Sequence, residues 1–392
     1  MRHITRTVWI LSIVSLLTDV ASEMLYPVMP VYLNSIGFSV VLIGVLEGFA
    51  EAIAGVSKGY FGKRSDISGR RLPFVRLGYG LSALSKPMMA LWAAPAWVFL
   101  ARATDRLGKG VRTAARDALL SDEATLLTRG RVFGFHRSMD TLGAVLGPLA
   151  ALVFLYLRPG DYRMLFFLAF FPGALAMGFT WLLRDKNPIP KENRTKTSFF
   201  SFLKYWKESP ASYRKLVAGL LLFTLFNSSD MFLLLQIKQA GLSDTATIGV
   251  YVFYNLVLAA FAYPIGVIAD RLGLRNIFIA GLLVFAIVYC GMAFFGGLYT
   301  FLFLFLLYGI YAAATEGIAK AWISNITDKK DTATAIGTFT AFQSICTLLA
   351  SSITGLLWHY AGPTAAFVTS AIAAIVVAAY LLSMKAPIKT SV

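Results

Sequence analysis

The residues able to do chemistry in this chain are carboxylates and bases set at helical intervals. Asp19 and Glu23 stand four apart, as do Glu47 and Glu51, so each pair shares one face of a helix. The stretch ARATDRLGKGVRTAARDALL, from Ala101 to Leu120, carries Arg102, Arg106, Lys109, Arg112 and Arg116 at intervals of three or four, with Asp105 beside Arg106. That spacing puts the bases on one helical face. Two carboxyls four apart, out of water, do not readily both ionise, so one of them is a candidate to exchange protons with its surroundings. A stripe of cations can bind an anion or neutralise such acids. His136 and Asp140, again four apart, are a candidate relay, because a His beside an Asp can carry a proton near neutral pH. Asp230 within NSSDMF and the Glu316/Lys320 pair at i, i+4 complete the set.

What must position these groups is a membrane. The 392 residues are 57% apolar and 14% charged, whereas soluble domains carry about 25% charged residues. Twelve apolar runs, each long enough to cross a bilayer as a helix, cover roughly 8–33, 39–60, 74–94, 97–118, 131–157, 163–183, 215–238, 246–268, 276–295, 299–322, 332–358 and 363–384. The first is too long for a cleavable signal and more spans follow it. An even number of spans puts both termini on one side, and Arg2, Arg6, Lys385 and Lys389 place that side in the cytoplasm of a cell's inner (plasma) membrane. The net charge of +16 fits this orientation rather than nucleic acid. Lys63, Arg64, Arg70 and Arg71 follow span 2, nine bases lie in 184–215, and the opposite side holds only Arg158, Arg163 and Lys238.

Other chemistry has no support. Cys290 and Cys346 are far apart, and the three His residues are scattered, so no disulfide framework or metal site is expected. LGKGVRT lacks the spacing of a phosphate loop. No cofactor, enzymatic reaction or ATPase domain is expected, which leaves an ion gradient as the energy source.

The depths of the charged groups agree. At 1.5 Å per residue, Arg106 lies roughly 14 Å from the start of span 4 and Asp19 roughly 16 Å from the start of span 1, both near mid-membrane. Each Arg or Lys at a helix centre costs roughly 2.5–3.5 kcal/mol to insert, so the stripe must face water or carboxylates. Asp19, Glu23, Glu47 and Glu51 against Arg102, Arg106 and Lys109 make a network. It is either purely structural, with Glu47, Glu51, Asp105, His136 and Asp140 as its frame, or one in which Asp19 and Glu23 exchange protons with a cavity. Tyr254 and Tyr311 offer aromatic surface there.

The chain divides at 184–214, giving an N-terminal unit 1–183 and a C-terminal unit 215–392. RDKNPIPKENRTKTS is a polar, Pro-broken linker, and FFSFLKYWKES fits a short helix lying on the inner membrane surface. The two units echo each other. GKRSDISGRR (62–71) parallels GVIADRLGLR (266–275), ALLSD (118–122) parallels AWISN (321–325), and SEM (22–24) parallels SDM (229–231), at offsets of 204, 203 and 207. Six duplicated spans are the arrangement of many transporters, with the substrate site between the repeats.

On these motifs the sequence resembles the major facilitator superfamily along essentially its whole length. Gly62, Asp66, Gly69, Arg70 and Arg71 match the family's G-x-L-A-D-R-x-G-R-R loop, while Arg64 and Ile67 depart from it. Gly266, Asp270, Arg271, Gly273 and Arg275 form a second copy, and GAVLGP, with Gly143, Gly147 and Pro148, resembles the span 5 motif associated with antiporters. The resemblance implies an all-helical fold of two pseudo-symmetric six-helix bundles. Spans 1, 4, 7 and 10 would line the cavity, and spans 2, 5, 8 and 11 would flank the interface. It implies cytoplasmic gate roles for Asp66, Asp270 and their loops, with Arg112 and Arg116 near the same mouth. GAVLGP would make a flexible or sealed seam between the halves.

The expected function is proton-driven export of a small organic compound by alternating access. Asp19, Glu23, Asp230 and Glu316 would couple protons, and Arg102, Arg106, Lys109, Tyr254 and Tyr311 would face the substrate; a monomer in the lipid bilayer suffices. One alternative is proton symport of an anionic solute held by the stripe. Another is a sensor or lipid-translocating protein without a solute.

Overall fold

The computed structural model describes residues 4–185 and 202–384, apart from Pro27, Pro30, Val31, Asn34, Ser35 and Ser39. The described residues are helical, with no strand. Span 1 is a helix over Arg6–Glu23, followed by hydrogen-bonded turns as far as Phe38. Spans 2 to 6 are Val40–Ser68, Leu72–Leu91, Pro95–Asp122, Arg129–Leu157 and Tyr162–Thr180. A short helix, Leu203–Glu208, precedes span 7, which is broken into Ala211–Phe226 and Met231–Gln239. Spans 8 to 10 are Asp244–Leu272, Leu274–Phe294 and Leu298–Asn325. Spans 11 and 12 form the helical stretch Thr332–Ser383, interrupted at Gly362, whose φ of 84° only glycine adopts freely.

Local chemistry sets the helix ends. The Thr5, Asp161 and Ser243 side chains accept from the backbone N–H of Val8, Met164 and Ala246, satisfying donors that a helix start leaves unpaired. Prolines stand in the first turn of spans 3 and 4, where no N–H is needed. Among the described residues, seven helical stretches are long and apolar enough by themselves to cross a membrane. Span 4 falls outside that set because of its charges, which must be covered by other helices rather than by lipid.

Leu77, Leu84 and Leu91 of span 3, Phe171 and Leu175 of span 6, Leu283 and Ile287 of span 9, and Ile372 and Ile375 of span 12 present exposed apolar side chains outward. Spans 2 and 11 pack together, as do spans 5 and 8, and these two contacts join the halves. The face holding the span 2–3 and span 8–9 loops is here called the basic face. On that side one apolar core runs through both halves, from Val8, Tyr79 and Phe133 to Phe278, Trp322 and Phe339. At the other end Met24, Leu33, Met89 and Phe166 form a separate core within the N-terminal half. The larger core is thus shared by the two halves, and the basic face is part of it.

The linker aromatics do not simply lie on a membrane surface. Phe199 and Phe200 fall outside the described residues, but Phe202 is 3% exposed. A Cβ on Gly59 would stand 2.6 Å from the Phe202 ring, and the Phe202 carbonyl accepts from Thr338 of span 11 at 3.4 Å. Trp206 meets Phe342 at 5.9 Å. The segment is wedged into the seam of spans 2 and 11, because burying two or three rings there gains more than leaving them at a surface.

Candidate functional site

Two matching clasps close the basic face. Asp66, on span 2, accepts from Arg71 Nη1 at 2.8 Å, from the Thr334 backbone N–H at 2.6 Å and from the Thr334 hydroxyl at 2.7 Å. Asp270, on span 8, accepts from the Gly130 and Arg131 backbone N–H groups at 2.7 and 3.1 Å and from Arg131 Nε at 2.8 Å. Each carboxylate thus caps the start of a helix in the other half, where free N–H groups and the helix dipole favour an anion. Glycines make this closure possible. A Cβ on Gly62 would stand 2.4 Å from the Ala333 carbonyl oxygen, and one on Gly130 would stand 2.5 Å from that of Gly266. Gly69 supplies the left-handed turn, φ 64°, after span 2.

The Arg partners only partly match the expectation. Arg71 also binds Asp122 at 2.9 Å. Arg70 and Arg271 are exposed, and Arg275 reaches the Leu382 carbonyl, so Asp270 takes its guanidinium from Arg131 on span 5. Arg112 is not at the mouth. It is buried in the N-terminal half, donating to Ser82 at 2.5 Å and lying 4.6 Å from the centre of the Tyr79 ring.

Above the clasps, ion pairs cross between the halves. Lys320 binds Asp117 at 2.8 Å and Arg137 binds Glu316. The i, i+4 pairing of Glu316 with Lys320 does not form, since each meets a better-placed group on the facing half. Asp117 also holds Arg116, whose Nη1 donates to Ser15 at 3.2 Å. Ser15 donates to Asp140 at 2.5 Å, and Arg137 reaches Asp140 at 2.9 Å. The Asp19 and Asp140 carboxyls lie within hydrogen-bonding reach of each other. A carboxyl–carboxyl contact of this kind is a place for one shared proton. One continuous chain of polar contacts therefore runs from Asp19 and Asp140 to both cross-half pairs. Beside it lies a cavity of about 290 Å³, lined among others by Arg116, His136, Arg137, Tyr311, Glu316 and Lys320. His136 does not bond Asp140; its Nδ1 is 3.5 Å from Ser12 Oγ.

The basic stripe of span 4 splits, because a face spanning five bases is wider than one groove. Arg102 and Asp105 turn into the N-terminal half, where Asp105 holds Lys86 at 2.7 Å and Arg102 at 3.6 Å. Arg102 is thus buried in the bundle beside Asp105. Arg106 meets Glu51 at 3.2 Å, and Lys109 is exposed although it stands mid-helix. Glu23 sits within electrostatic reach of both Arg106 and Lys109. The Glu47 side chain lies outside the described residues. Gly143 and Gly147 do not make a seam between halves. They press span 5 against span 1, a Cβ on Gly143 standing 2.4 Å from the Leu16 carbonyl oxygen and one on Gly147 2.7 Å from the Met24 nitrogen, next to Pro148.

The C-terminal half presents a different surface. Asp230 stands at the break of span 7 and accepts from the Tyr308 hydroxyl at 2.7 Å. Tyr254 and Tyr311 flank Tyr308 with ring centres at 5.0 and 5.2 Å, and Tyr251 follows Tyr254 at 6.1 Å. Asn227 donates to the Tyr311 hydroxyl at 3.0 Å. Sequence reasoning missed Arg131; it singled out Asp117, Arg137 and Tyr308 by position but not the partners they meet here.

The helix pairing and the two-fold likeness of the clasps point one way, and sequence comparison decides it. The Major Facilitator Superfamily model matches residues 11–258 and again 238–391. The chain belongs to the major facilitator superfamily. An uncharacterised MFS-type transporter of Methanocaldococcus jannaschii is 31% identical over 387 residues, covering 97% of this chain and 95% of that one. An uncharacterised protein of Mycobacterium bovis is 32% identical over 190 residues, 47% of this chain and 46% of that one. Among solved structures, the human organic anion transporter MFSD10 superposes with a TM-score of 0.80 at 17% identity, covering 96% and 99% of the two chains. The Escherichia coli fucose:proton symporter FucP follows at 0.79 and 13%, covering 97% and 99%. At those identities the likeness is one of fold. This superfamily member is a multi-pass membrane protein of a transporter family, which is not an enzyme family.

Proposed function

We propose that this protein is a proton-coupled transporter that exports a small organic compound across the plasma membrane by alternating access, with both termini in the cytoplasm. Units 1–183 and 215–392 are the two moving bodies. The observation that carries the reading is the unbroken polar chain from the Asp19–Asp140 contact through Ser15, Arg116 and Arg137 to Asp117–Lys320 and Arg137–Glu316. A proton arriving on Asp19 changes the charge that faces Asp140 and its hold on Arg137, and so redistributes charge along the chain that joins the halves. Proton occupancy is thereby tied to the closed state of the basic face. The GAVLGP motif supports export by resemblance. The fucose:proton symporter FucP shares this fold, which supports proton coupling.

A second reading, symport of an anion, is favoured by Lys109, an exposed cation at mid-span with Arg106 and Lys58 near it. One solved neighbour carries organic anions. Inside-out vesicles with an acid lumen separate the two. Export by antiport is expected to release lumenal protons when substrate is added, in wild type and not in Asp19→Asn. Accumulation of an anion with protons in right-side-out vesicles, without that release, overturns export. Absence of any gradient-driven solute flux would favour a sensor or lipid-handling role.

A further inference from the structure

We propose that the break of span 7 recognises an organic cation, with Asp230 as its counter-ion and the neighbouring tyrosines as its aromatic surround. The inference names the substrate class for the transporter reading above and rests on it.

Three independent observations meet at this place. Among the described residues Asp230 forms no ion pair, while Glu316 is taken by Arg137 and Lys320 by Asp117. Its carboxylate accepts from the neutral hydroxyl of Tyr308 at 2.7 Å. A carboxylate at membrane depth without a cation is costly, and a charged ligand relieves that cost. Next, the rings of Tyr251, Tyr254, Tyr308 and Tyr311 form a run with centres 5.0 to 6.1 Å apart and mutual tilts of 33° to 43°. Tyr254, Tyr308 and Tyr311 are buried and Tyr251 is partly exposed, so the run gives Asp230 an aromatic surround suited to a weakly hydrated cation, whose charge is attracted by the ring quadrupole. Last, Asp230 stands where span 7 breaks, between Phe226 and Met231, and the repeat-related Glu23 ends the regular helix of span 1. Breaks at corresponding positions of two repeats mark binding sites in transporters. Asp230 is itself partly exposed, so a ligand can reach it.

The test uses two probes of one shape and opposite charge, tetraphenylphosphonium and tetraphenylborate, binding to the purified full-length protein in nanodiscs. The wild type is expected to bind tetraphenylphosphonium and not tetraphenylborate. Asp230→Asn should weaken tetraphenylphosphonium binding by about tenfold or more, the factor of one good charged contact. Asp230→Glu should restore most of it, which separates loss of charge from misfolding. Tyr254→Ala should weaken it several-fold, roughly the worth of one ring. Binding that is unchanged in Asp230→Asn, a preference for tetraphenylborate, or no binding of tetraphenylphosphonium to the wild type overturns the proposal. Asp19→Asn should bind the probe as the wild type does. If that variant also keeps full proton movement while Asp230→Asn loses the probe, the coupling reading fails and the cation site stands.

Discussion

The two halves repeat one design at the basic face and diverge at the cavity. Asp66 and Asp270 each cap a helix of the other half and bind one Arg, with the same kind of Gly-to-backbone contact beside them. Deeper in, the N-terminal wall is ionic, with Asp19, Glu23, Glu51, Arg106, Lys109 and Asp140. Around Asp230 the C-terminal half is aromatic, with Tyr308 on the carboxylate, and Glu316 of the same half is taken by Arg137. Closure requires matching backbone surfaces on both sides, so that part of the repeat is retained. On the proposed reading, moving protons and holding a ligand are different tasks, and the two halves differ here because they serve them separately.

The comparison breaks most sharply at the acids. Asp140→Asn is expected to abolish proton-coupled flux in proteoliposomes read with a lumenal pH dye, while probe binding stays near wild type. If flux persists, the ionic wall is scaffolding and not the proton path. The repeat-related pair sharpens the point: Glu23→Gln should lower coupled flux and spare the cationic probe, whereas Asp230→Asn should do the reverse. Equal effects of the two changes would erase the division of labour.

The clasps give the next largest effect. Asp66→Asn and Asp270→Asn each weaken hydrogen bonds to a charged group, worth about 1.5–3 kcal/mol. Each change should therefore shift the open–closed balance of the basic face by about tenfold or more. Spin-label distances across spans 2 and 11 and across spans 5 and 8 should lengthen in both variants, and a response of only one clasp would show that the halves do not close symmetrically. Gly130→Ala should open the same face, since overpacking costs about 1–3 kcal/mol and the Gly266 carbonyl stands in the way. The smallest effect is expected at Arg271, an exposed motif residue, where Ala should change the spin-label distribution by less than about twofold. Arg131→Ala should open the face clearly, because Arg131 is the guanidinium that Asp270 holds.

Much of this was legible in the chain. Apolar run length, the positive loops and the paired motifs carry the twelve spans, the two bundles and the family, because lipid demands long apolar helices and duplicated segments keep their spacing. The clasps were legible too, down to Asp66 and Asp270. Partnership was not. Arg102, Asp105 and Arg112 share the periodicity of Arg106 and Lys109, yet the first three turn into the bundle and the last two toward Glu51 and the cavity. Glu316 and Lys320 have the spacing of a local ion pair, yet each binds across the seam. GAVLGP marks a close helix approach, and only the packing says that the neighbour is span 1.

Sequence by itself thus determined which segments form long apolar helices and which loops close the basic face, since periodicity and hydropathy are local properties. Only the tertiary structure decided which charge meets which, and that a carboxylate at the break of span 7 stands among four tyrosines from spans 8 and 10. Pairing depends on how each helix is rotated against neighbours distant in the chain. That rotation is set by packing of whole faces and not by the spacing of any one motif.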